Sequence, residues 1–257
     1  MGLNASVNSL APPRLDALDG VWRADELARV RQTYVSSGHG ELDPELPGQG
    51  WPLGQMTEIL QAQPGLHEWR LLLPALRQAV AQGPLVLVGA PQLPHLPALS
   101  WLGISARQLL RVDAHSAAER LWATEQVLRG RELGALLSWL PQARPEQLRR
   151  LQLASTATQA LVFALRPLTA RHAASPAPLR LTLEAQPQGL EGAAPGLSVH
   201  VLKRRGPPLD HALTLAAPLP VTAALRRRGP AEEPAHAVVR PATPPHAWHR
   251  AQQPVAA

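Results

Sequence analysis

Along the first two hundred residues, short uninterrupted apolar runs alternate with stretches whose apolar positions recur every three or four residues. The runs predict strands buried on both faces, and the spaced stretches predict amphipathic helices. MTEIL (56–60), LVLVGA (85–90), GALLSW (134–139) and ALVFAL (160–165) are the runs. Between the first two, Trp69, Leu72, Leu73, Leu76 and Val80 fall at helical spacing, and Pro74 predicts a kink there. Ser116-Ala117-Ala118-Glu119 is a capping box that opens a helix to about Arg129. Arg144-Pro145-Glu146 starts another, with Pro145 at the first helical position, where its missing N–H costs nothing. LRLTLE (179–184) and LSVHVLKRR (197–205) read as antiparallel strands joined by a Gly/Pro loop. Strands alternating with helices predict a three-layer α/β fold around a mainly parallel sheet, extended by that late antiparallel pair.

The ends read differently. Residues 207–257 carry ten prolines, scattered Ala and His, and little apolar periodicity, so they have no means of building a core. The expected organisation is a loose N-terminus (1–18), an N-terminal helix and linker (19–45), an α/β core (46–208) and a Pro/Ala/Arg-rich tail (209–257). Val21, Trp22, Leu27, Val30 and Tyr34 predict a short amphipathic helix. Trp22, Leu27 and Val30 would form one apolar stripe outside the sheet pattern, a candidate partner-binding surface. LPGQGWPLGQ (46–55) reads as a turn-rich loop.

Composition narrows the chemistry. The chain of 257 residues has no cysteine, which excludes disulfides, thiolate metal sites and a cysteine nucleophile and fits a reducing compartment. No apolar run approaches the roughly 20 residues of a membrane span, and the first residues lack a secretory pattern, so a cytoplasmic protein is expected. The ten histidines form no ligand set, and no nucleophile elbow occurs. Lys203 is the only lysine and is followed by Arg204, so an intact Gly-Lys-Ser/Thr phosphate loop is absent from the sequence. Residues 46–206 hold sixteen basic and nine acidic side chains, net +7, against net −3 for residues 1–45. A basic body favours acidic partners such as nucleic acid. Of the seven tryptophans, Trp69 and Trp122 sit on apolar helical faces and are expected inside, as is Trp139 after its buried strand.

The order of the pieces resembles the RecA ATPase core. SSGHGELDPELPGQGWPLGQMTEIL (36–60) is similar to the segment leading into the phosphate-loop strand. LGISARQLLRV (102–112), WATEQVLRGRELGALLSWL (122–140), LRRLQLASTATQALVFALRP (148–167) and VHVLKRRGPP (199–208) resemble later core segments in the same order. More closely, VWRADELA, GWPLG, LLLPAL, LSWLPQA, LRRLQLA and LKRRGPP resemble the ImuA family, RecA-like proteins of the SulA superfamily. The resemblance covers about residues 20–208.

What the resemblance implies is a RecA-like core with a degenerate nucleotide site. Gln61 and Leu66 stand where the loop's two glycines belong, His67 where the lysine belongs, and Glu68 at the magnesium-binding Ser/Thr position. Gly65 alone does not restore the loop. Ser138 stands where the metal-positioning acid is expected, and Pro91 where the water-activating acid is expected. The resemblance thus implies no ATPase, no cofactor and no metal. It implies an accessory role in DNA-damage-induced (SOS) translesion synthesis, through RecA, the ImuB polymerase-like protein and, indirectly, an error-prone replicative-type polymerase. Lys203, Arg204 and Arg205 end a strand and are candidates for contact with DNA phosphates or an acidic partner surface. The alternative of another class is a SulA-type inhibitor of the tubulin-like division ring; the late strands after LVFALRP weigh against it.

Overall fold

The computed structural model describes residues 32–65, 67–130, 132–186 and 196–216. A two-residue ribbon pairs β1 (Tyr34–Val35) with β2 (Trp51–Pro52). The main chain of elements follows: β3 (Met56–Gln61), α1 (Glu68–Ala79), β4 (Leu85–Val88), α2 (Leu96–Trp101), β5 (Leu109–Val112), α3 (Ala117–Leu128) and β6 (Ala135–Trp139). Then come α4 (Pro145–Ser155), β7 (Leu161–Pro167), β8 (Leu179–Ala185), β9 (Leu197–Lys203) and β10 (Leu213–Leu215). Eight strands form one sheet in the order β10-β9-β8-β3-β7-β6-β4-β5. From β8 to β5 all neighbours are parallel, whereas β9 and β10 are added antiparallel. The fold is a three-layer α/β sandwich, as the alternation of runs and helical stretches predicts.

Burial explains the sequence pattern. Every residue of β3, β4 and β6 is buried, because helices cover both faces of the central sheet. On one face Leu71, Leu72, Ala75 and Leu76 of α1 pack over Ile59, Leu87, Leu137 and Phe163. The segment before β3 continues that layer with Leu42, Leu46 and Trp51, and the Trp51 ring meets Phe163 edge-on at 5.5 Å. On the other face Ala123 and Leu128 of α3 and Leu148 and Leu151 of α4 pack over Val86, Leu136 and Val162. The Ser116–Glu119 capping box is formed, and Pro145 opens α4.

Four details depart from the sequence reading. Tyr34 is in β1, paired with Pro52, rather than on a helix; Trp22, Leu27 and Val30 lie outside the described residues. The loop 46–55 contains the short strand β2. Trp122 is 65% exposed, because α3 turns Ala123, Thr124 and Leu128 to the sheet instead. The region read as tail from residue 209 begins inside the sheet, with Leu209, Leu213 and Leu215 buried on the α1 face. The alternation Leu213-Thr214-Leu215 is too short for a periodicity reading to register. Residues 217–257 lie outside the described residues. Pro74 lies within α1, a single helix from Glu68 to Ala79.

Candidate functional site

The parallel strands bring their carboxyl ends to one edge of the sheet. The chain leaves β3 and β4 towards α1 and α2 on one face, and leaves β5 and β6 towards α3 and α4 on the other. Such a reversal opens a crevice outside the strand ends, the place where open α/β sheets bind ligands. Here the crevice is a cleft of about 100 Å³, with Gln61, Gly89, Arg120, Trp139 and Arg166 in its wall and four prolines around it: Pro64, Pro91, Pro141 and Pro167. Gly89 has φ 65°, and a Cβ there would stand 2.8 Å from the Arg120 Nε. Small-molecule sites typically occupy about 300–1,000 Å³. A nucleotide is far larger than this cleft.

The loop from β3 to α1 explains the small size. Glu68, the first residue of α1, is fully buried. Its Oε1 accepts hydrogen bonds from the Gly65 N–H (2.6 Å) and the Trp139 Nε1–H (3.2 Å), and its Oε2 accepts from the His67 N–H (3.1 Å). Gly65 has φ 91°, a left-handed conformation that glycine adopts without strain. Backbone N–H groups converging at a helix N-terminus are the usual seat of a phosphate oxygen. In this chain a side-chain carboxylate supplies the oxygens. The negative charge also lies at the positive end of the α1 dipole.

The sequence-derived positions divide accordingly. Gln61, Gly65, His67, Glu68 and Pro91 all gather at this loop and cleft. Leu66 lies outside the described residues. Ser138 does not reach the loop. It is buried on the opposite face of the sheet, with its hydroxyl 2.5 Å from that of Thr124 on α3. Successive strand residues point to opposite faces, so the residue aimed at Glu68 is Trp139. Lys203, Arg204 and Arg205 lie at the other end of the sheet, since β9 runs antiparallel and Lys203 pairs with Arg180 near the start of β8. Lys203 Nζ donates to the Ser175 carbonyl, and Arg204 Nη1 donates to the carbonyl and carboxylate of Glu45 (2.6 and 2.7 Å). Arg205 is exposed. The cluster is thus partly built into the fold and remote from the cleft.

His67 is perturbed. Burial chiefly, with the charge of Arg70 adding, holds its imidazole below the ordinary value, while Glu68 opposes both. A histidine with a depressed folded-state pKa takes up its proton more readily when unfolded. Stability is therefore full above the unfolded value and declines as pH falls through about 6.5. His67→Gln should flatten that decline in urea unfolding between pH 5 and 7; an unchanged slope would remove His67 as its source.

Two features of the site region had no sequence signal. Trp139 was legible as a buried residue but not as a donor to Glu68. Glu58, in the middle of β3, is fully buried between Arg166 of β7 and Arg180 of β8, each 2.5 Å from one carboxylate oxygen. Arg166 also donates to the Ala143 carbonyl and Arg180 to that of Ala170. The three residues sit on neighbouring strands, with Glu58 more than a hundred positions from either arginine in the chain. Arg166 links this triad to the cleft wall.

No protein-family model matches the chain, and no curated protein sequence matches it. Among the described residues no group of His, Cys, Asp or Glu is arranged to hold a metal ion, and no helix is long and apolar enough to cross a membrane.

Proposed function

We propose that the protein is a non-catalytic, RecA-like accessory factor of DNA-damage-induced translesion synthesis, acting in the cytoplasm by assembly with RecA and the ImuB polymerase-like protein. Through them it would support an error-prone replicative-type polymerase. The reading rests on the sequence resemblance together with one observation: Glu68 takes the N–H groups of the loop between the first central strand and its helix. Opening that loop for a phosphate requires breaking three hydrogen bonds and placing one anion against another. A fold of this class that leaves its phosphate loop closed still offers its surface to partners. Phosphate transfer needs positioned cationic and metal groups around the nucleotide, and neither position 67 nor position 139 supplies one.

Two experiments test the proposal. Single-turnover incubation with Mg·ATP and single-stranded DNA should give no hydrolysis above a protein-free control. Turnover that disappears on changing His67 would contradict it. Co-purification from DNA-damaged cells should recover RecA and the ImuB polymerase-like protein, and their reproducible absence would remove the assembly role. Direct DNA binding is expected to be weak and to fall steeply with salt, because the net +7 of residues 46–206 acts through phosphate contacts. Binding that ignores salt would contradict that source.

A further inference from the structure

A groove of about 280 Å³ runs between α3 and α4, on the face of the sheet away from α1. Leu121 and Trp122 of α3 and Leu151 of α4 line it, with Glu125, Gln147 and Arg150 among them. Trp122 is 65% exposed, and Leu153, on the last turn of α4, is 64% exposed. Large apolar side chains left open along a groove mark a docking surface. The rim is basic, since Glu125 carries both Arg129 and Arg150, and Arg149 is exposed beside them.

The chain enters the described body next to this groove. Gln32 donates to the Leu53 carbonyl and accepts from Gln55 Nε2, each at 2.5 Å. The neighbours of Gln55 are fastened to α4: the Met56 N–H donates to Gln152 Oε1 (3.0 Å), and the Gly54 carbonyl accepts from the Ser155 hydroxyl (3.4 Å). Gln32 is therefore set beside the last turn of α4, and the thirty-one residues before it lead away from that point.

We propose that residues 22–30 of the same molecule lie in this groove, as the amphipathic helix their spacing predicts. Trp22, Glu26 and Val30 fall on one helical ridge, four residues apart, with Leu27 beside it. Val30 stands two residues before Gln32, about 7 Å of extended chain, which brings it to Leu153. At about 1.5 Å of rise per residue, Trp22 lies about 12 Å further on, and Gln147 in the groove wall lies about 9 Å from Leu153. The ridge thus spans the groove, with Trp22 at the Trp122 end and Glu26 among the arginines. The tether decides the occupant. A segment on so short a link is present at an effective concentration in the millimolar range, which a separate partner with the same contacts does not reach. The inference is independent of the proposed assembly role, and it turns the Trp22 stripe inward, towards its own body.

The chain has no cysteine, so a single nitroxide can be placed on Ala24→Cys, on the helical face opposite the ridge. Its effect is read by NMR of the full chain on the Trp122 indole N–H, assigned with Trp122→Phe. That resonance should lose most of its intensity relative to the reduced, diamagnetic sample, while the Trp101 indole on α2 keeps its own. Leu27→Asp, and separately Leu153→Asp at an exposed position, should each restore the Trp122 intensity without altering the rest of the spectrum. Full Trp122 intensity in the labelled protein would overturn the proposal. So would equal broadening with and without Leu27→Asp, which is what a merely tethered segment gives. A mixture of isotope-enriched unlabelled chain with unenriched nitroxide-labelled chain should show no broadening. Broadening there would put a second copy in the groove and overturn docking within one molecule.

Discussion

Glu58→Ala is expected to lower the unfolding free energy by about 3–5 kcal/mol, the usual consequence of removing one partner from a buried ion network. Both oxygens of Glu58 are used, and the arginines that face it are themselves 6% and 10% exposed at the side chain. Removing the carboxylate leaves two guanidinium charges together beneath the segment that follows β7, with too few carbonyls to satisfy them. The triad also ties β7, β3 and β8 across the middle of the sheet. Replacing all three residues together by apolar side chains of similar volume should be far milder, because the desolvation penalty of three charges disappears with them. Urea unfolding measures both variants, and an unchanged slope with a shifted midpoint confirms that stability alone has moved. A loss below about 1 kcal/mol for Glu58→Ala would show that the charges are hydrated in solution.

Glu68→Ala is expected to cost about 2–4 kcal/mol, since it strands the N–H groups of Gly65 and His67 and the indole N–H of Trp139 in a buried loop. Glu68→Gln keeps the shape and one good acceptor but presents an NH₂ group to N–H donors, so it should fall between the wild type and Glu68→Ala. Glu68→Ala also removes the negative charge that favours protonated His67, so the imidazole should titrate lower still. Chemical denaturation of the two variants, with the His67 ring followed by NMR, checks these results. Equal stability of all three proteins would mean that the carboxylate is not holding the loop.

The fold was legible because its central strands are buried on both faces, so LVLVGA, GALLSW and ALVFAL carry the burial in their composition. The capping box at Ser116 and the proline at Pro145 added local marks that tertiary contacts did not override. Trp122 and Tyr34 show the limit. Their helical spacing with apolar neighbours was present, but the sheet chose other residues for contact, and Tyr34 lies beside β2 instead. The loop residues were found because each departs in chemical type from a phosphate-binding pattern. What those departures accomplish was hidden, because a glutamate at the first helical position looks the same in sequence whether it points to solvent or back into its own loop. Ser138 stands one position from the residue that faces the loop, Trp139, and one position on a strand is a change of face. The Glu58 triad depends on strand neighbours that only the sheet order reveals.

The Glu68 carboxylate occupies the seat of an anion at the N-terminus of α1. The thermal midpoints of wild type and Glu68→Ala, measured from 0 to 100 mM inorganic phosphate at constant ionic strength, test it directly. A vacated seat that binds phosphate with a dissociation constant near 10 mM gains about 1.4 kcal/mol at 100 mM. For a body of this size that is a rise of roughly 3–6 °C in the variant. The wild type, with its seat filled, should show no such rise. Parallel responses of the two proteins across the whole phosphate range would contradict the claim.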